Sequence, residues 1–451
     1  MSKDSQQEIE KQRKQVFQGD FKVDLKTACT VGNGVVQLKP EQEAMLLDKF
    51  DNLKTFPSFF IPASGSGSRM FQFLYEWLEN GQSTKDVEEF FSVLDQLALS
   101  DGVNLTEENR ESIVRSLLTK YADQPKGLIP FHKEEEIIKT AFQEHVLQAQ
   151  QISGDQASVH FTVQHNVENV VNENISQLGP QTKNVNISYS YQKVETDSYC
   201  FNEQQELVMH GGVALRRPAG HGALLNNLDD IDADIVLIKN VDNIQHSSRS
   251  SMSGKIWKLA VGLLLQMKED LKTLSDNYSQ EALEGFNNKY QLFSEEEMKD
   301  LNSDAIISIC NRPSRVCGMV KNEGEPGGGP FWINDDQGVT KQIVEKVQID
   351  SSNAEQLEIV QNSSHFNPVF IAVSKTNTNG GSVDLMKYRD DSKFFVVNKS
   401  HQGEAIAYRE LPGLWNGGMN NWNTIFLEIP SEVFSPVKTV LDLAKSSHQE
   451  G

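Results

Sequence analysis

Short apolar runs of strand length, closed by turn residues and interleaved with helical stretches, restrict the fold of this chain more than any other feature. "SFFIPA" at residues 58–63 is followed by "SVHFTVQ", "NISYSYQ", "ADIVLIK", "RVCGMV", "PVFIAV", "KFFVV" and "NTIFLEI", all rich in β-branched and aromatic residues. Such runs suit a pleated, part-buried surface. Between them, Val87, Phe90, Phe91, Leu94 and Leu97 follow a serine cap at Ser83 with the three-and-four spacing of an amphipathic helix, and a second helical stretch reaches Tyr121. A later helical region, from Ile256 to Lys299, carries Ile256, Ala260, Leu263, Leu264, Met267 and Leu271 on one face. Periodicity assigns these helices to packing. Strands alternating with helices predict a layered α/β sheet. Residues 1–50 read as a polar extension that becomes helical around "PEQEAMLLDKFDNL", and residues 51–451 as one large domain with helical insertions at about 83–121 and 250–305.

Charge narrows the function. A formal net charge of -21 over 451 residues argues against a nucleic-acid surface, which needs a basic stripe to displace counterions. Any phosphate must therefore be held locally. The N-terminus "MSKDSQQEIEKQRKQ" has no apolar core segment, and no run approaches the ~18 apolar residues of a membrane span, so a soluble, cytoplasmic protein with no membrane partner is expected. Cys29, Cys200, Cys310 and Cys317 have neither redox nor zinc spacing. Reduced, buried thiols are the expectation.

Several stretches carry residue types suited to phosphate chemistry. In "PASGSGSRM", Gly65 and Gly67 can adopt positive φ and turn successive backbone N–H groups toward an anion, while Arg69 adds a charged fork of donors. The loop lacks the Gly-Lys-Ser/Thr ending of a P-loop and the third glycine of a dinucleotide fingerprint; a plain turn is the competing reading. "QPKGL" frames Lys126 between a rigid and a permissive residue, and "PAGHG" offers Gly220, His221 and Gly222 before a helix start. Surface lysine and ordinary turn are their alternatives. "DADIVLIKNVDNI" is an apolar strand ending at Asp242-Asn243. In open α/β sheets ligands gather beyond the carboxyl ends of strands, and a carboxylate there suits Mg²⁺; an Asx turn would use the same letters. Glu325 lies before a run of glycines, His365 and Asn367 precede a strand, and Lys438 follows a proline in "FSPVKT".

The order of these motifs resembles that of the UDP-sugar pyrophosphorylases, most nearly the UDP-N-acetylglucosamine pyrophosphorylase group of nucleotidyltransferases. That order here is "ASGSGSRM", "PKG", "SYQ" ending at Gln192, "PAGHG", "VDN", "EPGGG" with "QIVEKVQI" after it, "SHFNP" and "FSPVKT", over about residues 58 to 440. The chain is also similar to a bacterial family still catalogued as a domain of unknown function, through "PASGSGSRMF", "RVCGMVKNEGEPGGGPFW" and "LPGLWNGGMNNWNTIF". The resemblance implies a three-layer, Rossmann-like mixed sheet of the glycosyltransferase-A type with helical insertions. It implies that the loop Ala63, Ser64, Gly65, Ser66, Gly67, Ser68 and Arg69 would wrap the NTP phosphates, and that Lys126 would neutralise the α-phosphate. Gln192, Gly220, His221 and Gly222 would hold the base, Glu325 and Asn367 the sugar, Asp242 would carry Mg²⁺, and Lys438 would bind the phosphate of a sugar 1-phosphate. The implied reaction joins an NTP, UTP by resemblance, to that sugar phosphate. Two departures stand out: the usual Ala-Gly-Gly is Ala63-Ser64-Gly65, and a far longer stretch separates Arg69 from Lys126. A nucleotide-sugar binder without turnover, or transfer to a non-sugar phosphate, are the alternatives.

Overall fold

The computed structural model describes residues 3–19, 21–103, 109–324, 327–336 and 338–451. Strands and helices alternate along the chain in a mixed α/β arrangement, as the interleaved runs predict. The chain forms two compact units, each drawn from three stretches. The first comprises Met1–Met45, Gln192–Asp234 and Gly262–Glu428, the second Leu46–Tyr191, Ile235–Val261 and Ile429–Gly451. This replaces the expected single domain: two of the boundaries fall inside the helices Pro40–Asp51 and Ser251–Asp276, so no linker composition marks them in the sequence.

The second unit is built on four parallel strands in the order Ile235–Ile238, Ser58–Pro62, Ser158–Thr162, Asn186–Ser190. Strands covered on both faces are apolar throughout rather than alternating, and all four residues of Ile235–Ile238 are buried. Trp257, on the helix Ser251–Asp276, meets Phe59 edge-on with ring centroids 5.6 Å apart. The helix Ala141–Ser153 starts at a capping box, in which Thr140 accepts the Gln143 N–H and the Gln143 side chain accepts the Thr140 N–H. Its Phe142 stands edge-on to Phe161 at 4.8 Å. The expected insertion at 83–121 is present as Lys85–Val93 and Arg110–Tyr121. Its cap is Thr84, not Ser83: the Thr84 hydroxyl accepts the Val87 N–H, whereas Ser83 donates to Glu88.

The first unit contains the parallel strands Gly34–Val36, Asn423–Glu428 and Ser314–Lys321, with Ile371–Ser374 antiparallel to the last. A separate antiparallel sheet joins Asp24–Ala28, Gly329–Asp335 and Gly338–Val344. Residues 1–50 are thus not an extension. Leu25, Ala28 and Val35 are buried, but the strand Asp24–Ala28 has only two inward positions among polar ones, so its core role is hidden in the sequence. All four cysteines are free and buried, as expected. Burial pushes the Cys29 thiol up to about 12 and those of Cys200 and Cys317 to about 11, which keeps them unreactive. Among the described residues no helix is long and apolar enough to cross a membrane.

Arg315, in the strand Ser314–Lys321, is fully buried. It donates to Thr424 Oγ1 at 2.9 Å, Trp415 O at 2.7 Å, Gln342 Oε1 at 2.7 Å and Met419 Sδ at 3.4 Å. Every one of these acceptors is neutral, so geometry rather than an opposite charge compensates the buried guanidinium. A lysine could not reproduce the planar fork. Arg315→Lys is expected to cost about 3 kcal/mol of unfolding free energy, the scale of leaving buried acceptors and a charge poorly paired. Urea denaturation followed by far-ultraviolet circular dichroism reads this, and an unchanged midpoint would show that the network does not hold the unit.

Candidate functional site

In the second unit the strand Ser58–Pro62 runs into the loop 63–68, the strand Ile235–Ile238 leads to Asp242, and Ser158–Thr162 leads to Gln164. All three are carboxyl ends of parallel neighbours, where ligands of open α/β sheets collect. The loop is anchored at intervals. Ala63 N–H donates to Thr162 O at 2.8 Å, Gln164 Nε2 to Ser64 O at 2.6 Å, Gly67 N–H to Gln124 O at 2.9 Å, and Lys126 N–H to Gly65 O at 3.0 Å. Ser66 and Ser68 share a hydroxyl hydrogen bond at 3.0 Å. The N–H groups of Ser64, Gly65, Ser66, Ser68 and Arg69 find no acceptor among the described residues. A loop held at Ala63, Ser64, Gly65 and Gly67, with its other amides unspent, is suited to an anion.

The expected positive φ is not used. Gly67 has φ -78°, and Gly65 is not among the residues of positive φ. Gly67 is required by space instead: a Cβ there would lie 2.3 Å from Ile129 Cδ1. Gly127 has a stiffer neighbour, because its Cβ would meet the buried Phe142 ring at 2.4 Å, whereas a Cβ on Gly65 meets nothing within 4 Å.

Asp242 and Lys126 form an ion pair at 2.7 Å, with their side chains 12% and 15% exposed. Lys438 Nζ reaches the same Asp242 oxygen at 3.4 Å from a more open position. Burial pulls the Lys126 pKa below the ordinary lysine value; Asp242 opposes this, while the charges of Lys438 and Arg69 add to it. Arg69 is exposed, and among the described residues its guanidinium has no partner. Two cations therefore share one carboxylate, and the charge of a third, Arg69, is felt at Lys126, a local excess of positive charge in a strongly acidic chain.

Lys438 arrives on the C-terminal segment, which is clamped to the Asp242 turn. Val437 N–H donates to Asp242 O at 2.9 Å, Ser435 N–H to Asn243 Oδ1 at 2.9 Å, and His246 N–H to Ser447 O at 2.9 Å. Asp442 accepts the backbone N–H groups of Lys438 and Thr439, both at 2.7 Å, in a capping box. Motif order places Lys438 here but not Asp442; the Thr439-x-x-Asp442 spacing is the sequence signal that carries it. Further along, buried His448 bonds His132 at 2.9 Å, and His132 bonds Glu144 at 2.9 Å. Burial holds His132 well below the ordinary imidazole pKa, so its contact with Glu144 is a hydrogen bond between a neutral ring and the carboxyl group.

Other expected residues lie in the first unit and are not part of this cluster. Gly220 has φ 74°, and a Cβ on Gly222 would lie 2.1 Å from Pro412 O, so both glycines are dictated by backbone. His221 stacks on Trp415 at 4.2 Å, accepts the Leu414 N–H at Nδ1, and faces Glu345 at 3.4 Å. Gln192 is 3.4 Å from Asp197. Asn367 is buried with its amide spent on the backbone: Nδ2 donates to Gly318 O at 2.8 Å and Oδ1 accepts the Val369 N–H at 3.0 Å. Both sides of its amide thus have a backbone partner, which shapes the turn. Glu325 lies outside the described residues.

For Mg²⁺ the described residues offer no group of three or more His, Cys, Asp or Glu able to hold a metal. Asp242 alone is a donor set that fits the ion only in the manner common for Mg²⁺, one carboxylate completed by substrate phosphates and water.

The sequence matches the family model described as "Domain of unknown function (DUF4301)" over residues 1–449. This chain belongs to that family. No curated protein matches it. Among solved structures it is similar to a mutant UDP-glucose pyrophosphorylase from Leishmania major in complex with UDP-glucose, at 11% identity and TM-score 0.47, covering 97% of this chain and 74% of that one. It is also similar to a UDP-glucose phosphorylase from Trypanosoma brucei, at 12% identity and TM-score 0.44, covering 94% and 69%. An inositol-1-phosphate CTP transferase from T. maritima follows at 9% identity and TM-score 0.34, covering 86% and 94%. Likenesses this faint leave the chemistry to be read from the site itself.

Two measurements check the site's supports. Gly127→Ala is expected to destabilise the protein by about 1–3 kcal/mol through overpacking against Phe142, and Gly65→Ala to leave thermal stability unchanged; equal effects would show that the loop glycines are interchangeable. Glu144 gives a pH signature. Its pKa rises from 4.5 to about 7 by burial, so the stability it contributes is complete below 4.5 and is lost as pH climbs through about 7. The melting temperature of Glu144→Gln minus that of the unaltered chain should therefore increase between pH 5 and 8. A flat difference would place the Glu144 carboxyl in a wetter setting than the fold gives it.

Proposed function

We propose that this chain is a nucleotidyltransferase that joins an NTP, UTP foremost, to a sugar 1-phosphate and releases pyrophosphate. One observation carries the reading: Lys126 and Lys438 converge on the carboxylate Asp242, with Arg69 close enough for its charge to act on Lys126, beside a loop whose unspent amides lie at the carboxyl end of a strand. The order of motifs in the sequence supports the same assignment. In the reaction, an oxygen of the sugar phosphate forms a new bond to the α-phosphorus while the bond from that phosphorus to the β-phosphate oxygen breaks, and pyrophosphate departs with the electron pair. The attacking oxygen is already ionised, so no general base is needed; positioning and charge stabilisation supply the catalysis.

The loop amides and Arg69 would hold the β- and γ-phosphates. Lys126 would pass from Asp242 to the α-phosphate as charge develops there, and Lys438 would take the incoming phosphate. When bound, Mg²⁺ would neutralise phosphate charge, with Asp242 as its protein ligand. The roles given by resemblance to Gln192, Gly220, His221 and Gly222 at the base and to Glu325 at the sugar belong to the first unit and are not needed for this phosphate chemistry.

A second reading has its own observation. Asp242 is already neutralised by Lys126 at 2.7 Å, as in a site that binds a phosphorylated ligand without turnover. Purified protein with Mg²⁺, each of the four common NTPs and a panel of sugar 1-phosphates should release pyrophosphate for at least one pair. Arg69→Ala and Lys126→Ala should each cut that turnover more than about tenfold, the scale of losing one charge-stabilising donor, with melting temperature preserved for exposed Arg69. Absence of pyrophosphate with every pair, alongside a rise in melting temperature with nucleotide sugar, favours the binder. Wild-type rates in both variants sink the assignment.

A further inference from the structure

A cavity of about 600 Å³ lies within the second unit, walled by the hairpin Pro130–Glu134/Ile137–Thr140, the helix Ala141–Ser153, the segment after Asn243 and the end of the C-terminal segment. None of the cationic residues around Asp242 lines it. Its volume falls in the range of small-molecule sites, and its charge is the reverse of the phosphate cluster. Glu134, Glu135, Glu144 and Glu450 border it, against Lys139 as the single cation, which is already paired with Glu134.

Two buried groups are built toward a ligand rather than toward the fold. Gln245, 8% exposed, spends Nε2 on Glu432 O and leaves Oε1 without a partner among the described residues. Glu144, 2% exposed, uses Oε1 on His132 and borders the cavity. An unpaired buried acceptor such as Gln245 Oε1 is costly and calls for a donor. The wall thus offers acceptors and negative charge, and the carboxylates come from separate elements. They are too dispersed for a metal, since no group of three or more metal-ligating side chains exists among the described residues. Separate carboxylates with amide acceptors between them match a ligand carrying several ammonium groups along a chain.

We infer that this cavity is a binding site for an organic polyamine, with Glu135 and Glu450 at the mouth and Glu144 and Gln245 deeper in the wall. An ammonium group supplies three donors and one positive charge, which suits Glu144 in the wall, while a second ammonium meets the exposed carboxylates. The site shares protein segments with the phosphate cluster: Gln148, on the cavity wall, holds buried Lys239 at 2.6 Å at the end of the strand that leads to Asp242.

The test is isothermal titration of the full chain with spermidine at about 150 mM salt, where exposed charges are screened beyond ~8 Å. A single saturable site is expected. Glu135→Gln with Glu450→Gln removes two exposed charges and should weaken it about fivefold or more; Glu144→Gln should weaken it as well, with the melting temperature of each variant showing that it is folded. The control is Glu79→Gln with Glu89→Gln, exposed residues on helices that do not line the cavity, which changes net charge equally and should leave affinity unaltered. No saturable binding, or the same weakening in the control, overturns the inference and leaves only the general attraction of an acidic protein for polyamines. Because the titration contains no nucleotide, its outcome is independent of the nucleotidyl-transfer reading.

Discussion

Asp242 receives Lys126 at 2.7 Å and Lys438 at 3.4 Å on one oxygen, so that three stretches far apart in the chain meet through its charge. The surroundings of the candidate site follow from that constraint. The turn bearing Asp242 must sit at the end of a buried strand, the Lys126 turn must be pinned to the phosphate loop through Gly65 O, and the C-terminal segment must be fastened at Val437 and Ser435. Without the carboxylate, the largely buried Lys126 ammonium would be left unpaired beside the charges of Lys438 and Arg69, and removing one partner of a buried pair is strongly destabilising.

What could be read in the sequence and what could not divides along physical lines. Ile235–Ile238 and Ser58–Pro62 were legible because strands buried on both faces are apolar at every position. Asp24–Ala28 was not, because an antiparallel strand with two inward residues looks polar. The convergence of Lys126, Asp242 and Lys438 could be anticipated from motif order, since each stands at the end of a strand or the start of a turn. The reason for Gly67 could not. Its need for a missing Cβ arises from Ile129, a contact across the loop, and not from the backbone conformation that glycine usually signals. Asn367, given a sugar contact by resemblance, also has a structural task that the sequence did not reveal, since its amide bonds the backbone of Gly318 and Val369.

Buried charge in this chain is handled in two ways. Arg315 is satisfied by neutral acceptors alone, which fixes its surroundings and gives it no route to respond to a ligand. Lys126 is satisfied by one carboxylate and remains near solvent, an arrangement that can be exchanged. The same contrast separates His132, kept neutral by burial, from exposed Arg69. Rigid, charge-neutral polar contacts lie in the interior, and exchangeable ionic ones lie where the strands end.

The clamp on Asp242 also acts as a filter. Its carboxylate already pairs with the cations that an incoming anion would need, so the proposed site carries its own tethered competitor. A monovalent anion from solution must displace that competitor with no more charge than the competitor brings. A polyphosphate brings several charges at once and can engage Arg69, the free loop amides and Lys438 before it contests Lys126. Under the proposed function, chloride, acetate and other simple anions would compete poorly here without any steric gate, and a residue of the protein itself would set the preference for multiply charged phosphates.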